Sequence, residues 1–207
     1  MFSLKSYVPT LAQYLNLSPD ALYERQRSLI RAGLLVAVQG RGPGSGVKIS
    51  VPAVGILILS VLATESLSEI DSVVRRLGTA RANKKSCPLT GSVEFGQALE
   101  IVLAQMNMAR RIAWIKVIRP AQHAELVFGS ANRKNIDSSS FGDSGRAHDF
   151  QMTIEAQLPG FAVWCIADDL NDLVDGKSLN AIEQRVTQMR SDPTERWLRF
   201  FKGERRN

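Results

Sequence analysis

The chain predicts an α+β fold: helices through its first hundred residues, then a small antiparallel sheet packed with further helices. Three observations carry this. Residues 10–32 hold two stretches with apolar residues at helical spacing, separated by a short turn. Residues 51–63, VPAVGILILSVLA, are apolar on nearly every face, so this helix needs burial all round. The β-prone runs IAWIKVI and AELVFG come only after residue 111, bounded by Pro120 and Gly129.

The first helix is expected over about Thr10 to Leu15, with Leu11, Ala12, Tyr14 and Leu15 on its apolar face. Asn16 and Leu17 make a short turn. Ser18 suits the N-cap and Pro19 the first position of a second helix running to about Ala32, with Gly33 at its C′ position. Advancing 100° per residue places Leu22, Gln26, Leu29 and Ile30 on one side. Asp20, Glu24, Arg27 and Arg31 fall on the other, flanked by Tyr23 and Ser28. Leu34–Val38 and Val47–Ser50 predict two strands around a glycine-rich tip, GRGPGSG, that carries Arg41, with Lys48 just beyond. Helix, tight turn, helix and hairpin is the order of a winged helix-turn-helix, which sets its second helix in the major groove. The expected DNA contacts are Tyr23, Glu24, Arg27, Ser28 and Arg31 in the groove, with Arg41 and Lys48 at phosphates. The plainer alternative is an amphipathic helix pair with a solvated charged face. The tip glycines are not a nucleotide loop, because neither GxxxxGK[ST] nor a helix directly after the glycines is present.

The run LAQYLNLSPDALYERQRSLIRAGLL resembles the winged-helix units of the MerR and excisionase type found in bacterial and phage regulators. Leu11, Ala12, Leu15, Leu17, Ser18, Leu22, Gly33 and Leu34 match that pattern. The likeness covers about the first fifty residues, with a longer second helix and a more glycine-rich wing than the family shows. It implies a sequence-specific DNA-binding transcriptional regulator, encoded by a bacterium, phage or mobile element.

Ser50 caps the apolar helix, with Pro52 in its first turn. Thirteen residues are too few for a spanning helix, which needs about twenty. Ser66 and Glu69 read as a capping box before IDSVVRRL. Residues 79–88 read as a polar, basic linker between a winged unit with support helices at 1–78 and an α+β domain at 89–176. In that domain Ser92 caps a helix over Val93–Met108. Strands follow at 112–118, 124–129 and 150–158, the last with Phe150, Met152, Ile154 and Ala156 on one face. The stretch between the second and third, rich in Ser, Asn and Gly, reads as a long loop. A helix over Phe161–Val174 completes it, with strand as the competing reading at its start because FAVWCI is equally β-prone. A helical tail, 177–207, carries Leu179, Ile182, Val186 and Met189 at helical spacing and ends in WLRFF, whose large apolar groups are expected to dock on the sheet domain or a partner chain.

The net charge of +6 is concentrated early: the first fifty residues hold six basic and two acidic side chains, as a nucleic-acid footprint requires. Cys87 and Cys165 are far apart and fit no metal pattern, the usage of a cytoplasmic protein with reduced thiols; no signal peptide is recognised. His123 and His148 do not combine into a catalytic set, and Asp168, Asp169, Asp172 and Asp175 read as a solvated helix face. The expectation is therefore a non-enzyme with no cofactor and no metal. Its partners are double-stranded DNA and a second copy of itself, with no membrane. The alternative is a phage or mobile-element protein-interaction factor, a host-defence inhibitor or packaging subunit, binding a protein through the sheet domain or tail.

Overall fold

The computed structural model describes residues 2–38, 40, 46–119, 123–129, 135–142 and 153–191. The fold is α+β, as expected. Helix α1, Leu4–Tyr14, begins six residues before the expected Thr10, because the Ser3 hydroxyl accepts from the Ser6 N–H and caps it. Pro9 sits inside α1 on its exposed side, while Leu4, Tyr7, Val8, Leu11 and Ala12 bury the other. The helix closes through Asn16 at φ 53°, with the Leu17 N–H donating to the Ala12 carbonyl at 2.9 Å. Asparagine adopts this left-handed geometry more readily than most residues.

Helix α2 spans Pro19–Arg31. The Ser18 hydroxyl accepts from the Ala21 N–H at 3.1 Å. At the far end Gly33 is left-handed, φ 70°, and its N–H meets the Ile30 carbonyl while that of Leu34 meets Leu29. This paired pattern satisfies carbonyls that the helix itself leaves open.

The hairpin is much slighter than expected. Neither 34–38 nor 47–50 forms a strand; among the described residues a single antiparallel bridge, Val38 to Gly46, joins the two arms. Residues 47–49 find their backbone partners in the N-terminal segment instead. Leu4 N–H donates to the Val47 carbonyl at 2.7 Å, and Ile49 N–H to Phe2 at 3.1 Å. Arg41 and the rest of 41–45 lie outside the described residues.

Helix α3, Val51–Ala63, is capped by Ser50 and buried along most of its length. Helix α4, Ile70–Gly78, packs Ile70, Val73, Val74 and Leu77 on it. The capping box does not form: Glu69 is the N-cap without a side-chain bond, and the Ser66 hydroxyl pairs with that of Ser68. The segment 79–88 is built into the fold. Ala82 bridges Phe141, the Asn83 N–H donates to the Ser140 carbonyl, and Cys87 is buried.

The helix expected over 93–108 is two, α5 at Phe95–Ala104 and α6 at Met106–Ala109, because Gln105 is extended. The sheet contains β1 Ile112–Arg119, β2 His123–Gly129, β3 Ile136–Phe141 and β4 Ile154–Pro159, in the order β3-β2-β1-β4 with every pair antiparallel. Strand β3 falls inside the stretch expected to be loop. Its sequence, IDSSSF, has little β-propensity; full backbone pairing to β2 and the buried Phe141, 5.3 Å from the Phe95 ring, hold it. Phe150 and Met152, expected in the last strand, lie outside the described residues.

Helix α7, Gly160–Val174, and helix α8, Leu179–Ser191, follow. Gly160 allows α7 to start against β1: a Cβ there would run into the Ile112 carbonyl oxygen. The inward faces of the strands (Ile115, Val117, Leu126, Phe128, Leu158) meet α3 and α7 in one hydrophobic cluster that runs from Leu4 to Val186. That core crosses the boundaries expected at 78 and 176. Among the described residues no helix is long and apolar enough to cross a membrane. The WLRFF segment lies outside them.

Candidate nucleic-acid interface

Two sides of α2 do different work. On the inner side Leu22, Gln26 and Leu29 are buried, as the periodicity predicts. Arg25 joins them. Its Nη1 donates to the carbonyls of Ser60 and Thr64, both at 2.8 Å. From the opposite direction Arg119 of β1 donates Nε to Leu62 O at 2.7 Å, Nη2 to Val61 O at 2.6 Å, and Nη1 to the Glu65 carboxylate at 3.2 Å. The last carbonyls of a helix lack intrahelical partners and carry the negative end of its dipole. Two guanidiniums therefore close the end of α3, fixing α2 to it on one side and the sheet on the other. Burial, then the charge of Arg119, pulls the Arg25 pKa below its ordinary value. A positional signal for Arg25 exists: it lies three residues after Leu22 and four before Leu29, on the apolar side.

On the outer side Arg27 and Arg31 are exposed, with Asp20 at the N-terminal end. Arg27 pairs with Glu24 at 2.9 Å in a solvent-exposed contact, the kind that contributes little to stability and exchanges readily for another anion. Ser28, expected at the groove, is buried; its hydroxyl accepts from Arg31 Nη2 at 3.2 Å, so it steadies that arginine rather than reaching outward. Tyr23 is half-buried beneath the Lys5 ammonium, 5.1 Å from its ring centre. Arg75 of α4 donates to the Ala32 carbonyl at 2.8 Å, so a third arginine stands at the C-terminal end of α2, and its neighbour Arg76 is exposed. Lys48 is exposed beyond the Val38–Gly46 bridge. The structure thus brings Arg75, itself paired with Asp71 at 2.6 Å, to the residue that follows Arg31, a placement that sequence alone does not show because α4 lies about forty residues on.

The aspartates of α7 are not a solvated face. Arg185 of α8 donates Nη1 to Asp168 at 2.6 Å and to Asp172 at 2.7 Å, and Nη2 to Asp169. Lys177 bonds the second oxygen of Asp172, and the Tyr7 hydroxyl of α1 donates to Asp169 at 2.9 Å. Asp169 is fully buried and Asp175 stays exposed. Burial pushes the Asp169 carboxyl up to about 6, although Arg185 and Tyr7 pull it down. Arg185 loses hydration too, but the nearby carboxylates outweigh this and hold it above its ordinary value. One guanidinium shared among three carboxylates leaves the most enclosed of them short of compensation. The cluster ties α1, the helix before α2, to α7 and α8. Its enclosure suits a structural pin. Among the described residues no group of His, Cys, Asp and Glu could hold a metal ion.

Compared with protein-family models, with curated proteins and with solved structures, the chain matches none.

Proposed function

We propose that this protein is a sequence-specific DNA-binding regulator that lays the outer side of α2 in the major groove. The observation that carries this reading is the division of α2. Its inner side is locked to α3 through the buried Arg25, while Arg27 and Arg31 are left exposed and Arg75 reaches the helix end at the Ala32 carbonyl. A rigidly held helix presenting arginines is what groove recognition requires, since a guanidinium forms paired bonds to guanine and single ones to phosphate. Tyr23 and Glu24 flank the contact, and Arg41 and Lys48 serve the backbone. Two copies would place two such helices about 34 Å apart on a palindromic site. The exposed apolar surface around Phe2 and Val174 suits their mutual contact.

Fluorescence anisotropy on a labelled duplex across a salt series tests this. With Arg27 and Arg31 both changed to Ala, affinity falls and the slope of log K against log salt becomes shallower by up to about two, roughly 0.9 for each phosphate that is no longer neutralised. An unchanged slope and affinity defeat the assignment of α2.

A further inference from the structure

The end of α1, the start of α7 and the last turns of α8 line a partly open pocket of about 190 Å³ that the DNA reading does not use. Tyr14, Phe161, Met189, Ala162 and Val186 wall it, and Gln13 brings the side-chain amide. Its size limits the occupant: an apolar cavity of about 150 Å³ in another protein holds benzene, so a ring with one or two further heavy atoms fits here. Its walls favour an aromatic. Phe161 packs 5.7 Å from the Trp164 ring at a tilt of 43°, and Met189 adds a polarisable thioether. Its surroundings disfavour an anion, because the Asp169 carboxylate faces Tyr14 and Arg185 is already committed to Asp168, Asp169 and Asp172.

We propose that this cavity binds a neutral monocyclic aromatic bearing one small hydrogen-bonding substituent, directed at Gln13. The site adjoins the candidate interface. Gln13 and Tyr14 are the last residues of α1, directly before the turn through Asn16 into α2, so an occupant bears on the angle between the two helices. That coupling, unlike the binding itself, rests on the DNA-binding reading.

The test is calorimetric titration of the full chain with 4-methylphenol, and with benzoate as the charged comparison. The expected result is saturable binding of the phenol with Kd of about 0.1–1 mM, the range of an eight-heavy-atom ligand, and at least tenfold weaker binding of benzoate. Ala162→Leu, or Val186→Phe should the first variant not fold, fills the cavity and weakens phenol binding at least tenfold while the circular dichroism spectrum is kept. Absence of saturable binding at millimolar phenol, or equal binding of benzoate, overturns the proposal. So does a tenfold gain in phenol affinity when Phe200 and Phe201 become Ala, which assigns the cavity to the chain's own terminal segment. Phenol binding that leaves duplex affinity unchanged removes the coupling. A protein that binds the phenol but no duplex retires the DNA reading and leaves the cavity site standing.

Discussion

Replacing Arg25 with Met tests how α2 is held. Methionine keeps the apolar stem that packs beside Leu22 and Leu29 but removes the guanidinium. The carbonyls of Ser60 and Thr64 then lose a charged donor in a site closed to water. Each buried acceptor left alone costs about 1–3 kcal/mol, and the lost charge at the α3 terminus adds up to about 1 kcal/mol. Two effects offset this: the guanidinium no longer needs desolvating, and its repulsion from Arg119 disappears, the same causes that lower its pKa. The net expectation is a loss of about 2–4 kcal/mol. For a chain of this size that lowers Tm by about 5–10 °C. Urea unfolding should show a lower midpoint with an unchanged m-value, as a native-state loss requires. Arg25→Lys should fall between, since a compact ammonium does not reproduce the planar fork. Arg27→Met, on the exposed side, should stay within about 0.5 kcal/mol of wild type. An Arg25→Met protein as stable as the Arg27→Met control refutes the argument that this arginine closes α3.

Two more expectations concern α7. Gly160→Ala places a methyl group on the Ile112 carbonyl, backbone against backbone, so the start of α7 must shift off β1; a loss of about 3 kcal/mol or more by thermal unfolding is expected, and a loss under about 1 kcal/mol contradicts the contact. The Asp169 carboxyl titrates near 6 in the folded chain and near 3.8 unfolded. The native state therefore binds the extra proton between those values, and this group's contribution falls as pH rises from about 4 to about 6, then levels. Asp169→Asn removes that dependence. Urea midpoints at pH 4 and pH 7 should show wild type losing ground to the variant by a few kcal/mol; a difference that is constant or of opposite sign rejects the raised pKa.

Local chemistry was enough for much of the backbone. Ser18, Pro19 and Gly33 bound α2 as read, because caps act on N–H and carbonyl groups within a few residues. Ser50 and the all-apolar run mark α3, and β-branched residues mark β1. The same local rules misplaced elements that partners at long range decide. Strand β3 exists because β2 offers it a ladder, α1 extends back past Pro9 because Ser3 and Val47 receive its first turn, and Gln105 breaks a helix that periodicity carries through.

The candidate site divides the same way. Which α2 residues face outward was legible for Arg27 and Arg31, since helical phase alone sets it; Ser28 lay at the edge of the stripe, where neighbouring packing tips the balance toward burial. Burial of Arg25 depends on carbonyls thirty-five and more residues away, and the convergence of three aspartates on Arg185 depends on how α7 and α8 lie against each other. The chain's own order of residues determined helix ends, strand propensity and the uneven charge. Only the assembled fold decided which charges are buried and paired, because the cost of taking a charge out of water is met by groups that folding alone brings within reach.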